Sequence, residues 1–414
     1  MTRRICVVTA GHLATCPRML KAADAFLAEG YDVRVVSTRT TGWATAADAD
    51  IAASRGWRWR VVNYDRAEAP ATWLRSGARH KAARALASMV TSLPRTIVNA
   101  AFGRVHRELV DAILEEPADL IYGGTTGAIA AVAEAGHRAG IAFAVDLEDF
   151  HCAEHEPSPE GDLSNELARL VMHFASDGAA FVTAGSEAIA RACHDELRIA
   201  AMPIDNVFSL PATPPSDGRS RGVRGEFAAY WFSQTIGPGR GLEDVVRALG
   251  LTTRPASLTL RGCPRAGYAE SLLALAAREA PRVRIAIEPP SPPASMIDAC
   301  RAFDLGVSAE QGHVRNRLLN LPNKATTYPL AGLPVALTDT AGQSPLANDL
   351  GRGALVFAPG DAASLAEQLL PLMTDAARLA DAREASWRAA RARWHWDHEL
   401  ERGALLAAVS RILS

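Results

Sequence analysis

Two cations on glycine- and proline-flanked turns are the residues best suited to chemistry. Lys324 follows Pro322-Asn323 at the start of a helical stretch that stops at Ala331-Gly332 and runs into the apolar segment Leu333–Leu337. The exposed N–H groups and dipole of a helix start favour an anion, phosphate above all. Arg240 sits in Gly237-Pro238-Gly239-Arg240-Gly241. Glycines there let backbone approach a ligand, and the guanidinium offers a fixed fork to phosphate oxygens. If both turns lie at the C-terminal edge of one parallel sheet, a diphosphate is their natural guest. A second set is acidic. Asp146, Glu148, Asp149, His151, Glu154, His155 and Glu156 follow the apolar run Ile141–Val145, at the strand end where parallel sheets bind ligands. Within it, His151-Cys152-Ala153-Glu154-His155 matches the HxxEH pattern of one zinc-peptidase class. Pro157 cuts that helix short and a third ligand is not identifiable, so no metal is expected. Asp48-Ala49-Asp50, a DxD match in an Ala-rich loop, is read as chance.

These groups need strands and helices to hold them. Ile5–Ala10, Tyr31–Ser37, Asp119–Tyr122, Ile141–Val145 and Phe181–Thr183 read as short buried strands, with the segment Val207–Leu210 closing the first half. The residues Met19, Leu20, Ala23, Phe26 and Leu27 recur at helical spacing behind Pro17, and Gly30 ends that helix. Ser209–Glu226 is rich in Pro, Gly, Ser and charge and reads as a linker. Beyond it the strands are Ala228–Phe232, Ser257–Leu260, Val283–Ile287, Asp304–Ser308, Leu333–Leu337 and Ala354–Phe357. Helices fall between them at Leu242–Leu249, Tyr268–Ala280, Ser295–Arg301, Asn323–Leu330 and Pro345–Asn348. Alternation twice over, around a linker, predicts an α/β chain of two doubly wound domains facing a cleft, residues 1–208 and 227–390 joined by 209–226. The first βαβ unit lacks GxGxxG, and neither GxSxG nor a P-loop occurs.

The 414 residues exceed one ordinary core, which agrees with two domains. A net charge of -2 gives no reason to expect nucleic acid, and the Arg-Trp alternation over Arg55–Arg60 reads as a strand with outward arginines. Six scattered cysteines, no CxxC pair and no signal-peptide pattern point to a reduced, cytoplasmic setting. Ala71–Arg107 contains no Asp or Glu, yet carries Arg75, Arg79, Lys81, Arg84, Arg95, Arg104 and Arg107 among apolar residues. One reading is surface helices with a basic solvated face. The other is a peripheral contact with the cytoplasmic face of a membrane through residues 71–107.

Arg240-Gly241-Leu242-Glu243, then Leu258–Gly262 with Tyr268, then Asp304-Leu305-Gly306-Val307, then Leu321-Pro322-Asn323-Lys324 with Tyr328 and Ala331-Gly332-Leu333-Pro334-Val335 occur in the order of one known pattern. The chain resembles the retaining GT-B glycosyltransferases of glycosyltransferase family 4 (glycosyl transferases group 1), and the looser match of Pro17-Arg18 and Gly30-Tyr31-Asp32-Val33 extends the resemblance to the first half. The resemblance implies a GT-B fold of two Rossmann-like domains, with a C-terminal helix (391–414, including Trp394–Trp396) packing back on the first. It implies transfer of a sugar from a nucleotide diphosphate-sugar, with retention, to a glycan, lipid-linked or small-molecule acceptor. No cofactor or metal is implied beyond the nucleotide-sugar co-substrate. Donor-binding residues by matched position are Gln234, Gly237, Gly239, Arg240, Gly262, Asn323, Lys324, Thr327 and Tyr328. Catalytic roles fall to Arg240, Glu310, Glu148 and His151, and acceptor binding to His12 and Arg18. Gln234 replaces one cation of the family's pair, with Lys324 or Arg261 as compensation, and Thr327 and Leu319 stand where the family has two glutamates. Those departures keep two alternatives open: a degenerate GT-B protein that binds a nucleotide-sugar or a partner without turnover, and a GT-B sugar-nucleotide epimerase or hydrolase.

Overall fold

The apolar runs become two parallel sheets in the computed structural model, which describes residues 2–40, 42–90, 92–215, 226–292 and 295–414. Most of the expected linker, residues 216–225, lies outside the described residues. The chain divides into two compact units, Met1–Asp205 with Glu399–Ser414, and Asn206–His398.

In the first unit the strands are β1 (Arg4–Thr9), β2 (Asp32–Arg39), β3 (Arg58–Asn63), β4 (Leu120–Gly124), β5 (Ala142–Leu147), β6 (Val182–Ala184) and β7 (Met202–Pro203). They pair in the order β3-β2-β1-β4-β5-β6-β7, all parallel. Helices on both faces bury the central strands twice over, so Ile5, Val7, Val8, Leu120 and Ile121 are all inaccessible. That is why their sequences are continuous apolar runs and not alternations. Arg58 and Arg60 do alternate outward on the edge strand β3, where Glu116 and Glu115 meet them. The sheet closes on Met202–Pro203; Val207–Leu210 has no strand and belongs to the second unit. Ala71–Arg107 forms the helices Pro70–Ala87 and Arg95–Phe102 and the start of His106–Leu114. Among the described residues no helix is long and apolar enough to cross a membrane.

The second unit holds β8 (Phe227–Ile236), β9 (Ala256–Pro264), β10 (Val283–Glu288), β11 (Leu305–Ser308), β12 (Val335–Thr338) and β13 (Ala354–Phe357). Their order is β10-β9-β8-β11-β12-β13, again all parallel. The order reverses between β8 and β11, so the loops leaving these two strands diverge to opposite sides of the sheet. Such a switch point is where open α/β sheets bind ligands. Trp394 and Trp396 belong to this unit: the Trp394 indole donates to Asp349 (3.0 Å) and the Trp396 N–H to the Phe208 carbonyl (2.9 Å). The chain joins the first unit only from Glu399, where the buried Glu401 carboxylate accepts the Asp205 N–H.

Candidate functional site

Arg240 lies on the loop leaving β8 and Glu310 on the loop leaving β11, side by side at the switch point. Two glycines make this approach possible. Gly241 has φ +64°, and a Cβ there would lie 2.2 Å from the Ala309 carbonyl oxygen. Gly239, at φ +73°, would place one 2.3 Å from the His313 ring. Only glycine suits backbone that is both left-handed and this close to its neighbour.

Glu310 is the hub. Its carboxylate accepts from Lys324 Nζ and from Arg317 Nη1 at 2.8 Å, and Arg240 Nη1 lies 3.6 Å away. Burial pushes the Glu310 carboxyl up, but Lys324, Arg240 and Arg317 outweigh it and bring it down to about 2. Burial lowers Lys324, with Glu310 opposing; burial also lowers Arg240, again against Glu310. One carboxylate and three cations leave a net charge near +2. Accessibility separates their roles. The side chains of Glu310 and Lys324 are 2% and 5% exposed, whereas Arg240 and Arg317 each keep 25%. Lys324 is sealed between Glu310 and the face of the buried Trp231 ring, 5.7 Å from its centroid. Arg240 and Arg317 are therefore the cations that a ligand can touch.

A further layer fixes this loop. The Thr338 hydroxyl donates to the Glu310 carbonyl (2.8 Å), and Gln343 donates to Thr338 Oγ1 (3.0 Å). Gln311 donates to Asp244 (2.8 Å) on the helix Leu242–Leu251. The Glu243 and Tyr268 of the sequence pattern bond each other at 2.8 Å, tying that helix to Tyr268–Glu279.

The other expected donor residues divide. Gln234 is exposed at a register shift in the β8–β9 pairing, Gly237 follows β8, and Gly262 lies near the end of β9. Asn323 opens the helix Asn323–Leu330, and its carbonyl accepts the Thr327 hydroxyl at 2.7 Å. Thr327 is fully buried, and so is Tyr328, whose hydroxyl donates to the Val307 carbonyl (3.1 Å). Arg261, expected to compensate for Gln234, is spent on Tyr230 (2.8 Å), Ser291 (2.8 Å), the Pro289 carbonyl (3.0 Å) and Glu288. Arg317, unremarked in the sequence, is the cation the structure adds. It lies on the one-turn helix Arg315–Leu319 inside a polar loop that carries no periodic signal, and its only mark was a cation close behind Glu310.

In the first unit, the Arg18 guanidinium is buried and partnered at every nitrogen: Asp146 at 2.6 and 2.7 Å, and the carbonyls of Ile204 and Ala184. It ties the helix Pro17–Ala28 to the edge of the sheet. His12 is likewise buried; Nε2 accepts the Thr40 N–H (3.2 Å), which makes Nδ1 the donor to Asp48 (2.7 Å). Asp48 also accepts the Ala14 N–H (2.9 Å), so the DxD aspartate is structural. Glu148 and His151 do lie just beyond β5. Burial and the neighbouring Asp149 raise Glu148 to about 7. Burial works against charge on His151, but Glu154, at 2.9 Å from Nδ1, together with Asp149 and Glu148, raises it to about 9. Its Nε2 is buried without a hydrogen-bond partner among the described residues. Among the described residues no group of three or more His, Cys, Asp or Glu is placed to hold a metal ion.

No protein-family model matches the sequence, and no curated protein does. Solved structures match over the whole chain. HepE from Anabaena in complex with UDP has 17% identity and a TM-score of 0.64 over 100% of this chain and 99% of its own. The same protein with UDP-glucose has 18% identity and a TM-score of 0.63 over 99% and 98%. Sucrose-phosphate synthase from Thermosynechococcus elongatus has 13% and 0.69 over 100% of both chains. A glycosyltransferase from Rickettsia africae has 12% and 0.66 over 100% and 99%. With parallel sheets of seven and six strands, the chain has the GT-B fold of two Rossmann-like domains.

Proposed function

We propose that the chain is a glycosyltransferase that takes a sugar from a nucleoside diphosphate-sugar and passes it, with retention and without a metal, to an acceptor. The observation that carries this reading is the gathering of Arg240, Arg317 and Lys324 around Glu310 at the switch point of the second sheet. A diphosphate diester carries two negative charges, matching the net charge of that cluster. When the bond between the sugar and the diphosphate breaks, the departing phosphate gains charge. Donors fixed beforehand stabilise that charge without reorganising. Glu310 and Lys324 hold the arrangement, and Arg240 and Arg317 face the phosphates. The UDP and UDP-glucose held by HepE support a nucleotide of this kind. On the acceptor side we assign Glu148, whose raised carboxyl suits proton exchange near neutrality, and His151, whose unpartnered Nε2 has a proton to donate.

One observation favours a second reading, binding without turnover. Thr327 stands where the family resemblance would put a ribose-binding carboxylate, and its hydroxyl is committed to the Asn323 carbonyl. A nucleotide-release assay over a panel of sugar nucleotides separates the two. Release by the wild type that falls 100-fold or more in Arg240→Ala fits transfer or hydrolysis at this site. Tight binding with no release from any donor leaves the binding-only reading standing.

A further inference from the structure

The helix Pro70–Ala87 is inside out. Its inner side carries Ser76, Ala83 and Ala87, with Trp73 and His80 half-buried. The polar groups there are bonded: His80 Nδ1 meets the Ala100 carbonyl at 2.9 Å, and Arg104 donates to the Trp73 carbonyl (2.7 Å) and to Ser76 (3.3 Å). The outward stripe is Leu74, Ala78, Ala82 and Ala85, joined by Leu86 and, just beyond the helix end, by the exposed Met89 and Val90. Leu74 is 62% exposed and Met89 79%. Among the described residues ten large apolar side chains are exposed, and Leu74, Leu86, Met89 and Val90 are four of them. Such clustering marks an interaction surface, which scattered single residues do not.

Charge says what covers it. Arg75 and Lys81 are exposed along the two edges of the stripe, and neither pairs with a carboxylate among the described residues. The cations turned inward are already used: Arg79 on Glu108, Arg84 on Ser164 (3.0 Å) and Arg95 on the Phe174 carbonyl (2.6 Å). A second copy docking by the same stripe would set these edges against each other, like charge on like. We infer that the stripe docks on a bilayer surface carrying anionic lipid, Leu74, Leu86 and Met89 entering the acyl boundary and Arg75 and Lys81 meeting headgroup phosphates. The inference is independent of donor chemistry, since no residue of the switch-point site takes part.

Flotation of the full chain with phosphatidylcholine vesicles, with and without phosphatidylglycerol, tests it. The wild type floats with the anionic vesicles only, and less in high salt. Arg75→Ala/Lys81→Ala weakens partition by roughly 30-fold, at about one tenfold step or less per cation near the surface. Leu74→Ser/Met89→Ser abolishes flotation with an unchanged melting curve, both side chains being exposed. Three results overturn the inference: wild-type protein that stays in the soluble fraction; a Leu74→Ser/Met89→Ser variant that floats as well as a floating wild type; and a wild-type dimer by light scattering that this double variant converts to monomer, with no vesicle binding by either.

Discussion

Replacing Glu310 by Gln should move stability and nucleotide affinity in opposite directions. In the free protein the Glu310 carboxylate is the counter-charge for Lys324, Arg317 and Arg240, two of them in hydrogen bonds and the third 3.6 Å away. Removing one partner of a buried ion pair leaves an uncompensated charge and costs about 3–5 kcal/mol. For a unit of this size that is a fall of roughly 10 °C in Tm. A bound diphosphate would feel the reverse. At an effective dielectric near 20, a carboxylate ~6 Å away repels each phosphate charge by roughly 3 kcal/mol. Water reaches the open faces of Arg240 and Arg317 and screens most of this, so the expected net gain is about tenfold in UDP affinity. Differential scanning calorimetry with and without UDP, and titration calorimetry on both proteins, give the two numbers. Glu310→Gln should melt early and be rescued by UDP more strongly than the wild type. Weaker UDP binding in the variant would mean that Glu310 itself accepts from the nucleotide. A loss of stability under about 1 kcal/mol, within the range of an exposed pair, would refute the buried cluster as a source of stability.

Arg317→Ala should weaken UDP binding 10- to 100-fold by titration calorimetry with little change in Tm, because Glu310 keeps Lys324 and Arg240. Gly241→Ala should cost at least about 2 kcal/mol in urea unfolding and abolish UDP binding, its Cβ meeting backbone at a left-handed φ. Gly267→Ala, equally left-handed (φ +77°) with nothing within 4 Å, should cost only about 1 kcal/mol. His151 carries a folded pKa raised from 6.5 to about 9, so its stabilisation is fully present below 6.5 and is lost as pH rises through 9. The wild type should lose about 3 kcal/mol more than His151→Gln between those limits, by urea unfolding at each pH.

The sheets were legible because strands buried on both faces must be apolar throughout, as Ile5–Val8 and Leu258–Leu260 are. Edge strands carry no such burden, so β7 at Met202–Pro203 left no pattern, and the apolar Val207–Leu210 imitated one. The switch-point cluster was legible as far as the backbone demanded particular residues: Gly239 and Gly241 for the turn, Lys324 at a helix start. What a polar side chain bonds to is set by tertiary partners, and here the sequence was silent. Arg18 and His12, expected at the acceptor, have Asp146 and Asp48 as buried partners that no spacing announced. Thr327 and Tyr328 occupy the expected positions with their hydroxyls turned to carbonyls of their own unit. Arg317 went unseen because its significance is its 2.8 Å contact with Glu310, not its place in any repeat.

The central claim, that the β8–β11 switch point holds a nucleoside diphosphate, is tested most directly by a crystal structure of the wild-type chain with UDP. The account predicts the diphosphate on the Arg240 and Arg317 guanidinium groups, with Lys324 still bonded to Glu310 beneath them. UDP bound elsewhere, or bound here with both guanidinium groups turned away from the phosphates, would contradict it.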